Sequence, residues 1–223
     1  MVVGVIPARA GSVTIPNKAL KEICGIPLLQ FTIRAAEKSL LKKVIVTADY
    51  PEDVINPLIN DDKVIYVRRP EEYCRNDQPS TIALNYMYDK GIIENYDIIC
   101  LLQPTSPLRG AYDINMALLT YFLSTNDSLV SVFKTPPIKK MYMQGAGKIS
   151  SDLTGFNKDV DEMLYTRNGA IYIFTMHNYL ERGIIFDGYP EFYVMESYKS
   201  IDVDTFEDLK HVELLIKGGV GNV

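Results

Sequence analysis

The 223-residue sequence predicts an α/β protein with a doubly wound, mostly parallel sheet. Short apolar, β-branched runs alternate with amphipathic stretches of helical period, and Gly, Pro, Asn or Asp punctuate the changes. This rhythm gives βαβ units with right-handed crossovers and a sheet covered on both faces. The result is a Rossmann-like arrangement, whose ligands bind outside the carboxyl ends of the strands.

The elements follow in order. Residues 2–6 are apolar and β-branched, a buried strand, and a loop with Gly11, Ser12 and Pro16 follows. Residues 27–39 put Leu28, Leu29, Ile33 and Ala36 on one face, a helix. Residues 43–47 form a strand, 51–58 a short helix, 63–67 a strand, and 80–90 a helix with Ser80 or its neighbour near the N-cap. Residues 97–102 are a strand, 111–123 a helix buried through Ile114, Ala117, Leu118 and Tyr121, and 128–133 a strand. The loops after Ile6, Thr47 and Leu102 are expected to face the site.

The rhythm lapses over residues 134–164, where Pro136, Pro137, three Gly and scattered charges replace it. That stretch reads as an irregular or β-hairpin insertion, either a surface excursion or a lid or dimerisation arm. Regularity returns with a strand at 170–174, a short helix at 176–181, a strand at 192–196 and a helix at 204–217, opened by an Asp or Thr cap and closed by Gly218-Gly219. The reading is one domain over 1–223 with an insertion at about 134–164.

Composition excludes several classes. A net charge of −5 argues against a nucleic-acid binder with a broad basic surface, but leaves room for a small anion held by a local cluster of donors. Cys24, Cys74 and Cys100 are odd in number and form no CxxC, so free thiols are expected rather than a disulfide or zinc. With only His177 and His211, a multi-histidine metal site is not expected. No apolar run approaches the ~20 residues that span a membrane, and the start shows no signal peptide, so a cytoplasmic protein is expected.

Four segments carry candidate chemistry. Residues 6–12 (IPARAGS) and 15–18 (IPNK) follow the first strand. Small residues let backbone N–H groups converge on an anion, and Arg9 and Lys18 add charge, so phosphate binding ranks above a turn with solvated charges. Residues 101–109 (LLQPTSPLR) end a buried strand: Gln103 offers donors and acceptors to a ligand, or the two prolines simply stiffen a connection. In residues 200–205 (SIDVDT), Asp202 and Asp204 lie two apart and point to one side. They suit Mg²⁺, although on the residues alone Asp204 as a helix cap is the stronger reading. In residues 166–172 (TRNGAIY), Arg167 either holds a substrate carboxylate or is a surface charge. There is neither GxGxxG nor GxxxxGK[ST], which argues against a plain dehydrogenase or a Walker-type site.

In this order and spacing, the segments resemble the acylneuraminate cytidylyltransferase family, the CMP-sialic acid synthetases. IPARAGSVTIPNKA matches that family's opening, LLQPTSPLR is present unchanged, and NGAIYI and IDVDTFEDL follow. A weaker match joins Arg69-Pro70-Glu71 to Asp77, Ser80 and Thr81. The resemblance implies a Rossmann-like nucleotidyltransferase with CTP and a nine-carbon 2-keto sugar acid as partners, Mg²⁺ as cofactor and a homodimer. It implies that Ala8, Arg9, Ala10, Gly11, Ser12 and Lys18 hold phosphates and that Ser80 and Thr81 lie near cytosine and ribose. Gln103, Arg167 and Tyr172 would meet the sugar acid. Asp202 and Asp204 would hold Mg²⁺ and, with Arg9 and Lys18, serve catalysis.

The chain departs from the family pattern at Val13 (usually Lys), Thr14 (Gly), Ala19 (Asn) and Thr166, where an Arg is expected and Arg167 stands one place later. Two rivals follow. Ile15-Pro16-Asn17-Lys18-Ala19-Leu20 leans towards the cytidylyltransferase of the eight-carbon acid KDO. Val13, Ala19 and Thr166 motivate a catalytically impaired nucleotide-binding relative.

Overall fold

The computed structural model describes residues 1–75, 77–135, 143–145, 148–150, 164–186 and 189–220. The chain opens with β1 (Val2–Pro7), then a tight hairpin of β2 (Glu22–Ile23) and β3 (Ile26–Pro27). Cys24 and Gly25 turn that hairpin at φ 52° and 77°, the left-handed geometry that matches strand twist. Next come α1 (Leu28–Glu37), β4 (Lys43–Ala48), α2 (Glu52–Ile55), β5 (Val64–Arg68), α3 (Ile82–Asp89), β6 (Ile98–Leu102) and α4 (Ala111–Leu123). The remainder is β7 (Ser128–Thr135), β8 (Met143–Gly145), β9 (Lys148–Ser150), β10 (Leu164–Thr175), α5 (Met176–Arg182), β11 (Glu191–Met195) and α6 (Phe206–Lys217).

Seven strands form one sheet in the order β11-β7-β10-β6-β1-β4-β5. All neighbours are parallel except around β10, which runs antiparallel to both β6 and β7. Successive side chains of a strand face opposite ways, so each strand serves two cores. Val3, Val5, Ile45, Ile99 and Leu101 meet Leu84 and Met87 of α3 on one face. Ile6, Val44, Val46, Cys100 and Leu102 meet α1 and α4 on the other. This is the doubly wound, mostly parallel arrangement that the alternation predicts.

A third cluster matters for the site. Ile15 from the loop after β1, Val203 from the loop before α6, and Leu28, Phe31, Leu108 and Val212 pack together, with Ile15 and Val203 fully buried. Burying a residue of this size is worth about 1.5–3 kcal/mol. The two loops that carry the charged residues are therefore pinned to one another by apolar neighbours.

The structure amends four element readings. The helix expected from residue 80 begins at Ile82. The strand expected at 170–174 begins at Leu164 and carries a register shift between Arg167 and Tyr172. The last helix begins at Phe206 and is capped by Thr205, whose Oγ1 accepts from Asp208 N at 3.2 Å, so Asp204 is not its cap. Within the 134–164 insertion the described residues extend β7 to Thr135 and pair β8 with β9 as a hairpin. The lid or arm reading rests on residues outside those described.

Candidate active site

A cleft of about 280 Å³ opens where the parallel strands end. The loop after β1 contributes Arg9, Ser12 and Lys18, and the loop after β6 contributes Gln103 and Thr105. Asp202 and Asp204 enter from the segment before α6. The far end is closed by Arg69, Tyr73, Cys74, Arg75 and Ser80, between β5 and α3.

The loop after β1 is held from the side of β4. Ala8 N donates to Thr47 O at 2.8 Å, and Arg69 Nη2 donates to Ala8 O at 2.6 Å. The Tyr50 hydroxyl donates to Arg9 O at 3.3 Å, and Ala10 N donates to Asp49 Oδ1 at 2.7 Å. Arg9 reaches across the cleft, with Nη1 on Arg75 O at 2.7 Å. Asn17 then adopts a left-handed conformation (φ 52°), which Asn tolerates better than most residues, and Lys18 follows.

Lys18 Nζ donates to Asp204 Oδ1 at 2.8 Å and to Val203 O at 2.9 Å. The backbone of the Asp segment is docked by Val203 N on Thr105 O at 2.8 Å. Removal from water within the cleft raises the Asp202 carboxyl above its ordinary range, the Thr105 hydroxyl draws it back, and Asp204 raises it further.

Gly169 sits at φ 74° at the irregularity of β10, and a Cβ there would lie 2.7 Å from Gln103 Oε1 and 3.5 Å from Asp202 Oδ2. Only glycine allows that approach. The bulge is secured by buried Asn168, which accepts from Ser131 Oγ at 2.6 Å and donates to Ser200 Oγ at 2.9 Å. Arg109 is 1% exposed and donates to Gln103 O (3.1 Å), Ala170 O (2.8 Å) and Thr32 Oγ1 (2.6 Å). Burial lowers its pKa to about 10, which leaves it charged at neutral pH.

Of the residues singled out from the sequence, Ala8, Arg9, Ser12, Lys18, Ser80, Gln103, Asp202 and Asp204 line this one cleft. Ala10, Gly11, Thr81, Arg167 and Tyr172 are not among its lining residues. The Arg167 guanidinium lies 5.1 Å over the Phe186 ring, which stacks on Tyr172 at 6.3 Å. Burial pushes the Tyr172 phenol up, while Arg167 pulls it down. Val13, standing where the resemblance expects Lys, is 80% exposed, and Ala19 is buried against the cleft.

Sequence reasoning assigned no role to Asp49, Thr105 or Gly169, and none to Arg69 beyond its motif. Arg69 did carry a signal, an Arg-Pro pair directly after a strand, where ligands are expected. Asp49 lies in the loop after Thr47 that was expected to face the site.

The profile of the cytidylyltransferase family matches residues 3–217. N-acylneuraminate cytidylyltransferase of Escherichia coli is 30% identical over 94% of this chain and 50% of its own length. Pseudaminic acid cytidylyltransferase of Campylobacter jejuni is 25% identical over 96% of this chain and 95% of its own length. The chain spans about half the length of the Escherichia coli and Streptococcus agalactiae relatives it matches. Among solved structures, CMP:2-keto-3-deoxy-manno-octonic acid synthetase complexed with CTP aligns with a TM-score of 0.71 over 98% of this chain and 99% of that one, at 18% identity. A 4-diphosphocytidyl-2C-methyl-D-erythritol synthase from Anaerococcus prevotii aligns with a TM-score of 0.68 over 97% and 96% of the two chains, at 13% identity. Both share the fold.

Proposed function

The chain belongs to the cytidylyltransferase family, and from that premise we propose that it joins CTP to a sialic-acid-like nonulosonic acid, giving the CMP-sugar and pyrophosphate. The observation that carries this reading is the single cleft in which Arg9, Ser12 and Lys18 meet Asp202, Asp204 and Gln103. The nine-carbon class is supported by relatives named for N-acylneuraminate and for pseudaminic acid.

In the proposed reaction the 2-hydroxyl oxygen of the acid attacks the α-phosphorus of CTP in line. An O–P bond forms, the bond to the β-phosphate bridging oxygen breaks, and pyrophosphate leaves with that electron pair. The hydroxyl proton passes to solvent, as neither histidine lines the cleft. The protein aligns the partners and offsets growing negative charge. Lys18 exchanges Asp204 for phosphate oxygens, and Arg9 offsets charge on the leaving pyrophosphate. Ser80 lies on the cytosine and ribose side, with Thr81 behind it. Gln103 orients the acceptor, whose carboxylate Arg167 receives beside Tyr172.

The donor set fits a hard divalent cation such as Mg²⁺. Asp202 and Asp204 offer carboxylate oxygens, and the upward shift of Asp202 is what a nearby cation relieves. The Lys18 ammonium already lies on Asp204 Oδ1, so the position accepts positive charge. Among the described residues no group of three or more His, Cys, Asp and Glu is placed to hold a metal, so an ion held by Asp202 and Asp204 would need phosphate and water for its other ligands. When bound there, the ion would draw charge from the phosphates and lower the pKa of the attacking hydroxyl.

A second reading, a nucleotide-binding relative without turnover, is favoured by the engagement of both Arg9 and Lys18 with protein oxygens and by the solvent-facing Val13. One experiment separates the two. Pyrophosphate release is measured with CTP and Mg²⁺ against N-acetylneuraminic, legionaminic and pseudaminic acids and KDO, with UTP and GTP as controls. Turnover with one nine-carbon acid supports the proposal and names the acceptor. Turnover with KDO alone moves the substrate to the eight-carbon class. CTP binding without turnover on any acid favours the second reading.

A further inference from the structure

We propose that Asp49 is a positioning residue for the triphosphate, acting through the backbone of Ala10 and never through its own charge on the nucleotide. The proposal rests on the reading of the cleft as a CTP site.

Three observations carry it. First, the contact is short and charge-assisted, with Ala10 N donating to Asp49 Oδ1 at 2.7 Å across a sequence separation of 39 residues. It joins the exit of β4 to the loop that bears Arg9 and Ser12. Second, it completes a clamp. Thr47 O, the Arg69 guanidinium, the Tyr50 hydroxyl and Asp49 together engage Ala8 N, Ala8 O, Arg9 O and Ala10 N, so the first turn of the loop is built into the sheet edge. Tyr50 is itself held, since its carbonyl accepts from the Tyr66 hydroxyl at 2.6 Å. Third, the placement is electrostatically wrong for a direct role. A carboxylate behind a loop that receives a triphosphate repels it, so what Asp49 contributes to binding is geometry.

The clamp has a chemical consequence for the loop. The Ala10 amide is committed to Asp49, so it is not one of the donors that meet phosphate. That work falls to the side chains of Arg9, Ser12 and Lys18 and to the amides beyond Ala10. Cys74, which lines the cleft, feels the same carboxylate. Burial chiefly, with Asp49 adding to it, raises that thiol to about 11, so it stays protonated at neutral pH.

The test compares Asp49→Ala with Asp49→Asn, using CTP and inorganic tripolyphosphate as probes, with affinities from calorimetry. Asn keeps an oxygen acceptor for Ala10 N and removes the charge, whereas Ala removes both. The expected result is that Asp49→Ala weakens both probes by about tenfold or more, the loss of one charge-assisted hydrogen bond. Asp49→Asn binds both at least as tightly as the wild type. A KM for CTP that rises in Asp49→Ala, with the KM for the sugar acid unchanged, supports the same assignment. Unchanged affinity in Asp49→Ala overturns it, as does an Asp49→Asn variant as weak as Asp49→Ala, which would assign the effect to charge. A wild-type chain that binds neither probe overturns the CTP reading and this proposal with it. Wild-type binding with an unaffected Asp49→Ala overturns this proposal alone.

Discussion

The ammonium of Lys18 sits 2.8 Å from Oδ1 of Asp204, although the two residues come from opposite ends of the chain. The carboxylate is 68% exposed and the lysine side chain 13%, so the pair is worth less than about 1 kcal/mol to folding. On the proposed reading its role lies in the reaction. Lys18→Met is expected to leave the melting temperature nearly unchanged and to lower pyrophosphate release at least about a hundredfold, the scale of losing a charge stabiliser of the transition state. In the absence of nucleotide the same variant should bind Mn²⁺ more tightly, because Asp204 is freed. Weaker Mn²⁺ binding would sink the exchange between lysine and cation.

Asp204→Asn and Asp202→Asn are each expected to reduce turnover by about a hundredfold or more while the fold persists, given the several kcal/mol that a bound metal supplies. Either variant working near the wild-type rate would remove that carboxylate from the metal assignment.

Asp202 also makes stability depend on pH. Its folded pKa is raised above the unfolded value, so the carboxyl favours folding fully below the ordinary Asp range of about 3.9, and that contribution is lost as pH rises through the folded value. Asp202→Asn should therefore melt higher than wild type at neutral pH, and the gap should close in acid below the ordinary range. Melting curves at several pH values check this, and a gap that widens in acid contradicts it.

Gly169→Ala is expected to destabilise the protein by about 1 kcal/mol or more, since φ 74° is unfavourable for any residue with a Cβ. The new methyl would also press on Gln103 Oε1, so turnover should fall further than the stability loss explains. Urea titration paired with steady-state kinetics at a temperature where the variant is fully folded separates the two effects.

Arg109→Met should destabilise by about 3 kcal/mol, because three acceptors lose a buried donor. Arg109→Lys should recover only part of this, as an ammonium cannot reproduce the planar fork. Chemical denaturation measures both.

Much of this fold was legible because burial and strand period coincide. Val3, Val5 and Ile45 on one face, with Ile6, Val44 and Val46 on the other, form the continuous apolar runs that a parallel strand covered on both sides requires. The direction of β10 was not legible, since a buried strand has the same composition whichever way it runs. The residues of the cleft stood out where charge and loop position agreed, as at Arg9 and Lys18, whereas the role of Asp202 and Asp204 came only with the family resemblance, the residues alone favouring Asp204 as a helix cap. Asp49 did not stand out, because its partner is a backbone amide 39 residues away and no side-chain pattern marks a backbone acceptor. The helix cap was ambiguous for a related reason: Asp204 and Thr205 are both good caps, and only the reciprocal bond with Asp208 chooses between them.

Thr135 at the end of β7 pairs with Leu164 at the start of β10. Everything from 136 to 163 is thus strung between two residues that face each other across a ladder. Such a stem fixes the exit and the return of the chain whatever lies between them, and lengthening a segment closed in this way costs only about 0.6 kcal/mol per doubling. The sheet behaves as a socket. Its two rims, Thr135 and Leu164, are set by the pairing of β7 with β10, on the side of the sheet away from β4 and β5.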